Sequence, residues 1–122
     1  EETTGAEASL LVDVGGLFVE GQFLIQNTSF PTSGQPDVLA WGGHAQASYA
    51  LGPFEAGYRF ALIEPNTDDI EDFDRVMEHT ASLVYRLQEL PLSFFLNGTL
   101  VLEQDGRQIE NNRVAALAQL TF

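Results

Sequence analysis

Apolar and polar side chains alternate along most of this chain with the two-residue period of β-strands, whose successive side chains point to opposite faces. Ala8, Leu10, Val12 and Val14 oppose Glu7, Ser9 and Asp13, and Leu17, Val19, Phe23 and Ile25 oppose Glu20, Gln22 and Gln26. Trp41, Ala45, Ala47, Tyr49 and Leu51 oppose His44, Gln46 and Ser48. Phe54, Ala56, Tyr58, Phe60 and Leu62 oppose Glu55, Gly57 and Arg59. Ala81, Leu83, Tyr85 and Leu87 stand against Glu78, Thr80, Ser82, Arg86 and Gln88, and Leu92, Phe94, Leu96, Leu100 and Leu102 against Ser93, Asn97, Thr99 and Glu103. At the end of the chain Val114, Ala116, Ala118, Leu120 and Phe122 are apolar and Arg113, Gln119 and Thr121 polar, with Ala115 and Leu117 as exceptions. The pattern predicts an all-β chain of about seven antiparallel strands of roughly ten residues each. No stretch holds a helical period of comparable length, and residues 1–122 read as one unit without linker or low-complexity segment.

The predicted connections come in two kinds that alternate. Short turns fall at Gly15-Gly16, at 51–54 and at 89–92, each with glycine or proline turn chemistry; long polar loops fall at 27–39, 66–76 and 104–112. Alternation alone also suits a soluble antiparallel barrel or sandwich with its apolar face inside. Short turns on one side and long loops on the other are instead how transmembrane barrels are built. The aromatics agree: Tyr49, Phe54, Tyr58, Tyr85, Phe94 and Phe122 share the apolar face and are expected near the short-turn end, with Trp41 on that face at the long-loop end. Two aromatic girdles at the membrane interfaces have this arrangement. The expected fold is therefore an antiparallel transmembrane β-barrel with its apolar face toward lipid and its polar face lining a lumen.

Composition narrows the function more than the fold. The formal net charge is −13 and lysine is absent, the five cations being Arg59, Arg75, Arg86, Arg107 and Arg113. Nucleic-acid binding requires a basic footprint and is not expected. The absence of cysteine removes disulfides and thiolate metal sites. Mean hydropathy is −0.03, a value that alternating strands reach whether or not they meet lipid. The first residues do not form a signal peptide.

The final strand ends on an aromatic and resembles the closing strand of a bacterial outer-membrane barrel. That resemblance implies an outer-membrane location, a bilayer and lipopolysaccharide around the protein, and the outer-membrane assembly machinery as a partner of the last strand. With Phe122 at the periplasmic end, counting back through seven strands starts the first one outside the cell, so residues 1–5 are expected as the remnant of an external loop. Single-chain bacterial barrels have an even strand number. The expectation is the C-terminal part of a larger barrel, or one completed by strands from elsewhere.

The stretch 54–65 (Phe-Glu-Ala-Gly-Tyr-Arg-Phe-Ala-Leu-Ile-Glu-Pro), the Glu-His-Thr opening at 78–80 and Glu-Asn-Asn-Arg-Val at 110–114 before the terminal Phe resemble the C-terminal region of the phosphate-selective porin O/P family. The resemblance implies a barrel of about sixteen strands, a homo-trimer, and passive conduction of small anions. Phosphate selectivity in that family depends on lumen lysines, which this chain lacks. The implied function is a porin for small polar solutes or ions, with a scaffold barrel in a multi-protein outer-membrane complex, or a soluble ligand-binding barrel, as alternatives.

Function in a porin lies in the charge and wetness of the lumen face. The candidate lumen carboxylates are Glu7, Asp13, Glu20, Glu55, Glu78 and Glu103, opposed by Arg59, Arg86 and Arg113. They could set a transverse field at a constriction or form ordinary wall ion pairs worth little singly. The acidic run 68–74 lacks the spacing of a calcium loop and reads as a solvated loop. His44 and His79 face opposite ways by parity, so a metal pair is not expected. Ser48 near His44 has no nucleophile elbow or oxyanion-hole glycines around it. Neither enzymatic activity nor a cofactor is expected.

Overall fold

The computed structural model describes residues 2–32, 34–65, 75–87, 89–103 and 111–121. They form one seven-stranded sheet in which every strand pairs antiparallel with its sequence neighbour, in the order β1 to β7. The strands are β1 (Glu2–Val14), β2 (Leu17–Ser29), β3 (Val38–Leu51), β4 (Phe54–Glu64), β5 (Val76–Arg86), β6 (Leu92–Glu103) and β7 (Arg113–Leu120). The sheet is not closed: β1 and β7 are its two edges.

The predicted alternation survives intact because the register keeps it. Pairs such as Val14↔Leu17, Leu17↔Tyr49, Tyr49↔Ala56, Ala56↔Leu83, Leu83↔Leu96 and Leu96↔Ala116 carry one apolar row across all seven strands. A slip of one residue anywhere would turn a whole strand over. Turn chemistry fixes two of these registers. Gly15 and Gly16 both adopt positive φ (58° and 84°), as a two-residue type I′ hairpin requires. Gly52 takes φ 59° before Pro53, whose ring holds φ negative, the combination that suits a II′ turn.

Adjacent short turns are also stitched together. The Gly16 carbonyl accepts from the Ala50 amide at 2.9 Å, Pro53 from Arg86 at 2.8 Å, and Pro91 from Thr121 at 2.8 Å. The last described residue is thus tied to the β5–β6 connection rather than frayed. Two expectations are corrected. Residues 2–5 are not a loop remnant: they pair with 26–29 as the start of β1. The first long connection is 30–37 rather than 27–39, because pairing extends to Thr28↔Val38 between β2 and β3 and to Glu2↔Ser29 at the end of β2. Both extensions follow from ladder hydrogen bonds, which tolerate polar side chains that a hydrophobic pattern cannot register. The acidic run 68–74, the stretch 104–110 and Phe122 lie outside the described residues.

Candidate functional site

The two faces of the sheet are chemically distinct, and exposure alternates with them. On β3, Ala45, Ala47 and Tyr49 are exposed while Gln46 and Ser48 are half-buried. On β4, Phe54, Ala56 and Tyr58 are exposed while Glu55, Gly57 and Arg59 are half-buried. On β5, Ala81 and Leu83 are exposed while Ser82 and Val84 are half-buried. Along these segments of β3, β4 and β5 the polar face is the more covered one, whereas β1 and β7 are exposed on both faces. Among the described residues no hydrophobic side chain is buried, and Glu64 is the one buried polar residue.

The apolar face has a defined height. At its short-turn end lies the register row Leu51–Phe54–Tyr85–Phe94–Ala118, in which the Phe54 and Tyr85 rings stand 4.8 Å apart. Tyr49 occupies the next row. At the long-loop end Ile25, Trp41 and Glu64 share a row, and Trp41 packs beside Phe23 with ring centroids 6.1 Å apart. Phe54 and Glu64 bracket this face on β4. Their ten-residue offset spans about 34 Å along the strand at about 3.4 Å per residue. Of the expected aromatics, Tyr49, Phe54, Tyr85 and Phe94 lie toward the short-turn end and Trp41 at the long-loop end, Phe122 lies outside the described residues, and Tyr58 departs from the pattern. Tyr58 lies in the middle of β4, opposite Ala47 and Ala81, and its hydroxyl meets His79 Nδ1 at 2.6 Å.

That contact and one other were not foreseen on the apolar face. His79 stacks beside Phe60 at 5.0 Å, so its polar ring is both bonded and shielded. Glu64 accepts from Arg75 Nε at 2.8 Å, and the Arg75 guanidinium lies 6.0 Å from the Trp41 ring centroid. Glu64 and His79, the two titratable groups set among apolar side chains here, are thus both bonded. The parity of Glu64 and His79 was the available signal: both sit at apolar-face positions of their strands.

On the polar face the expected charges share one surface by register. Gln22 Nε2 donates to Glu7 at 2.6 Å, and Gln46 Nε2 donates to Glu20 at 2.6 Å, with His44 Nε2 3.8 Å from Glu20. Arg86 donates to Glu55 at 2.6 Å. Glu78 lies between Arg59 at 3.9 Å and Arg113 at 3.5 Å, and Thr80 and Thr99 hydroxyls meet at 3.2 Å. Glu103 ends β6 opposite Val76, and Asp13 lies opposite Phe18. Arg59 and Arg86 pair with carboxylates of the adjacent strand and Arg113 reaches across β6 to Glu78, so these arginines do not form an unopposed ladder. Arg59 stands between two concavities of this face of about 470 and 500 Å³, one lined by Gln22, His44 and Ala61 and the other by Ser48, Gly57 and Ser82. His44 and His79 lie on opposite faces, and no cluster able to hold a metal occurs among the described residues.

No family model, curated protein or solved structure matches the chain. Function must therefore be argued from the two faces themselves.

Proposed function

We propose that this chain is an outer-membrane porin or a portion of one, forming the wall of a passive, water-filled channel for small polar solutes or ions. The observation that carries the proposal is the exposure of the apolar face: Leu83, Phe94 and Leu96 are 44, 44 and 49 % exposed, while Ser82 and Ser93, beside them on the other face, are half-buried. A soluble sandwich would put these side chains in its interior, because an exposed apolar face of this extent is unfavourable in water. Hydrocarbon removes that cost. At the roughly 40° tilt of barrel strands, the ten residues between Phe54 and Glu64 would span roughly 26 Å, the scale of the roughly 25 Å apolar band of outer-membrane barrels. The hydrogen-bonded carboxylates, amides and guanidiniums of the other face suit a wet lumen.

The channel requires no catalytic cycle and no cofactor. The resemblance of 54–65, 78–80 and 110–114 to phosphate-selective porins fits a general porin wall, and with no lysine in the chain it gives no ground for phosphate. A second reading is a scaffold barrel within a multi-protein outer-membrane complex. Detergent extraction with heat-modifiable gel mobility tests the membrane barrel, and a protein soluble without detergent would overturn it. Single-channel conductance in planar bilayers then separates pore from scaffold: discrete conductance steps are expected, and a closed barrel would reject the porin.

A further inference from the structure

One stretch of the polar face is apolar. Leu24, Gly42 and Ile63 form a register row near the long-loop end, and Leu24 and Ile63 are 46 and 57 % exposed. All three line the concavity of about 470 Å³ beside Arg59. Two strand spacings, about 9.6 Å, separate the backbones of β2 and β4 here, and Gly42 between them contributes no side chain. A Cβ at Gly42 would lie 3.1 Å from the Leu62 carbonyl oxygen and 3.6 Å from the Ile63 side chain, so even alanine would begin to fill the gap. The row is thus a slot one side chain wide with aliphatic walls. Ala61, two residues further along the same face of β4, continues its floor toward Arg59.

The slot leads to positive charge. Arg59 and Ile63 are four residues apart on β4, about 14 Å of strand, a length that the arginine side chain and an acyl chain of about six carbons share between them. The Arg59 side chain is 43 % exposed and stands 3.9 Å from Glu78, beyond hydrogen-bond length, while Glu78 also faces Arg113 at 3.5 Å. One carboxylate therefore serves two guanidiniums, and one formal positive charge remains over at this point of the wall. Glu20, in the register row of Arg59, is engaged by the Gln46 amide on the intervening strand. At the far rim, Glu7 shares the row of Leu24 and accepts from Gln22. We infer that this concavity binds monocarboxylates with a short apolar chain, the carboxylate on Arg59 and the chain in the slot between Leu24 and Ile63. The guanidinium fixes the orientation by paired hydrogen bonds, burial of the chain supplies affinity, and Glu7 repels a second carboxylate at the chain's far end. The inference rests on the channel proposal only in taking this face as wet, and it gives that channel a solute class.

The test titrates the whole chain in detergent micelles with hexanoate, acetate, adipate and hexylammonium by ligand-observed NMR, with empty micelles as the blank. Hexanoate is expected to bind roughly tenfold or more tightly than acetate, as partial burial of its extra methylenes requires. Adipate and hexylammonium should show no affinity above the blank. Arg59→Gln, and Leu24→Gln combined with Ile63→Gln, should each weaken hexanoate roughly tenfold, the first by losing a charged hydrogen-bond donor and the second by losing the apolar walls. Equal affinity for acetate and hexanoate, binding of adipate, or unchanged hexanoate affinity in Arg59→Gln would overturn the inference; the first two are read on the parent protein and do not depend on any variant folding. Conductance of the same preparation in planar bilayers separates this inference from the channel proposal. Hexanoate affinity without conductance steps upholds the site and removes the pore, whereas steps without hexanoate affinity keep the pore and overturn the site.

Discussion

An arginine scan down one strand of the apolar face tests the proposed lipid contact quantitatively. On β5, Ala81 lies four residues from Tyr85, both on the open face. That offset is about 10 Å in height for a strand tilted about 40°. Tyr85 belongs to the aromatic row at the short-turn end, while Ala81 lies close to the midpoint between that row and the Trp41 row. Arginine at the bilayer midplane of a barrel costs about 2–4 kcal/mol, and near the interface about 0–1 kcal/mol. Ala81→Arg should therefore lower the folding equilibrium in vesicles by roughly 100-fold, at about 1.4 kcal/mol per tenfold, whereas Tyr85→Arg changes it several-fold at most. Gln46→Arg, at nearly the same height but on the polar face beside Glu20, should stay within about 1 kcal/mol of the parent, as for other solvated ion pairs. Urea titration of vesicle-reconstituted protein reads all three, with Trp41, the single tryptophan, as the fluorescent reporter. Equal costs at Ala81 and Tyr85, or an Ala81→Arg protein as stable as the parent, would refute lipid contact on this face.

Three further outcomes follow from contacts on the two faces and from one turn. Tyr58→Phe removes the hydroxyl that meets His79 and leaves the imidazole without that partner, which should cost about 1–3 kcal/mol in the same titration; a neutral result would mean that water reaches His79. Gly16→Ala forces a Cβ to within 2.9 Å of the Ala50 carbonyl oxygen at φ 84°; with about 1–2 kcal/mol for the left-handed conformation alone, the urea midpoint should fall measurably. Glu55→Gln leaves the Arg86 charge unopposed on the polar face and should shift the reversal potential in planar bilayers toward anions, while Glu55→Gln combined with Arg86→Gln restores it; identical potentials for both variants would place this pair away from the ion path.

Period-two alternation made the seven strands legible because tight turns at Gly15-Gly16 and Gly52-Pro53 leave no freedom to slip the register. Strand ends were less legible. Residues 2–5 and 27–29 are polar or small, and only their ladder partners reveal them as strand. The polar face was readable as a list of charges but not as a network, since parity places Glu78 on a face without saying that two guanidiniums from different strands converge on it. The contacts of Glu64 and His79 were illegible for a related reason. A hydrophobic pattern discards the occasional polar residue on an apolar face, although such residues are where a partner must be found.

Partner identity also decides how the polar face carries its charge. Glu7 and Glu20 are bonded by the amides of Gln22 and Gln46, neutral groups that satisfy the carboxylate oxygens without cancelling the charge. Glu55 and Glu78 are paired with arginines, so their fields are largely spent locally. The six candidate carboxylates against three arginines leave a formal surplus of −3, equal to the charge of Glu7, Asp13 and Glu20 on β1 and β2, because β4 to β7 carry Glu55, Glu78 and Glu103 against Arg59, Arg86 and Arg113. A cation moving along this wall would be drawn toward the β1–β2 side, and an anion toward the arginines of β4 and β7. Solutes of opposite sign would then follow different tracks past the same surface, and the wall facing β1 and β2 across the lumen would decide which track conducts.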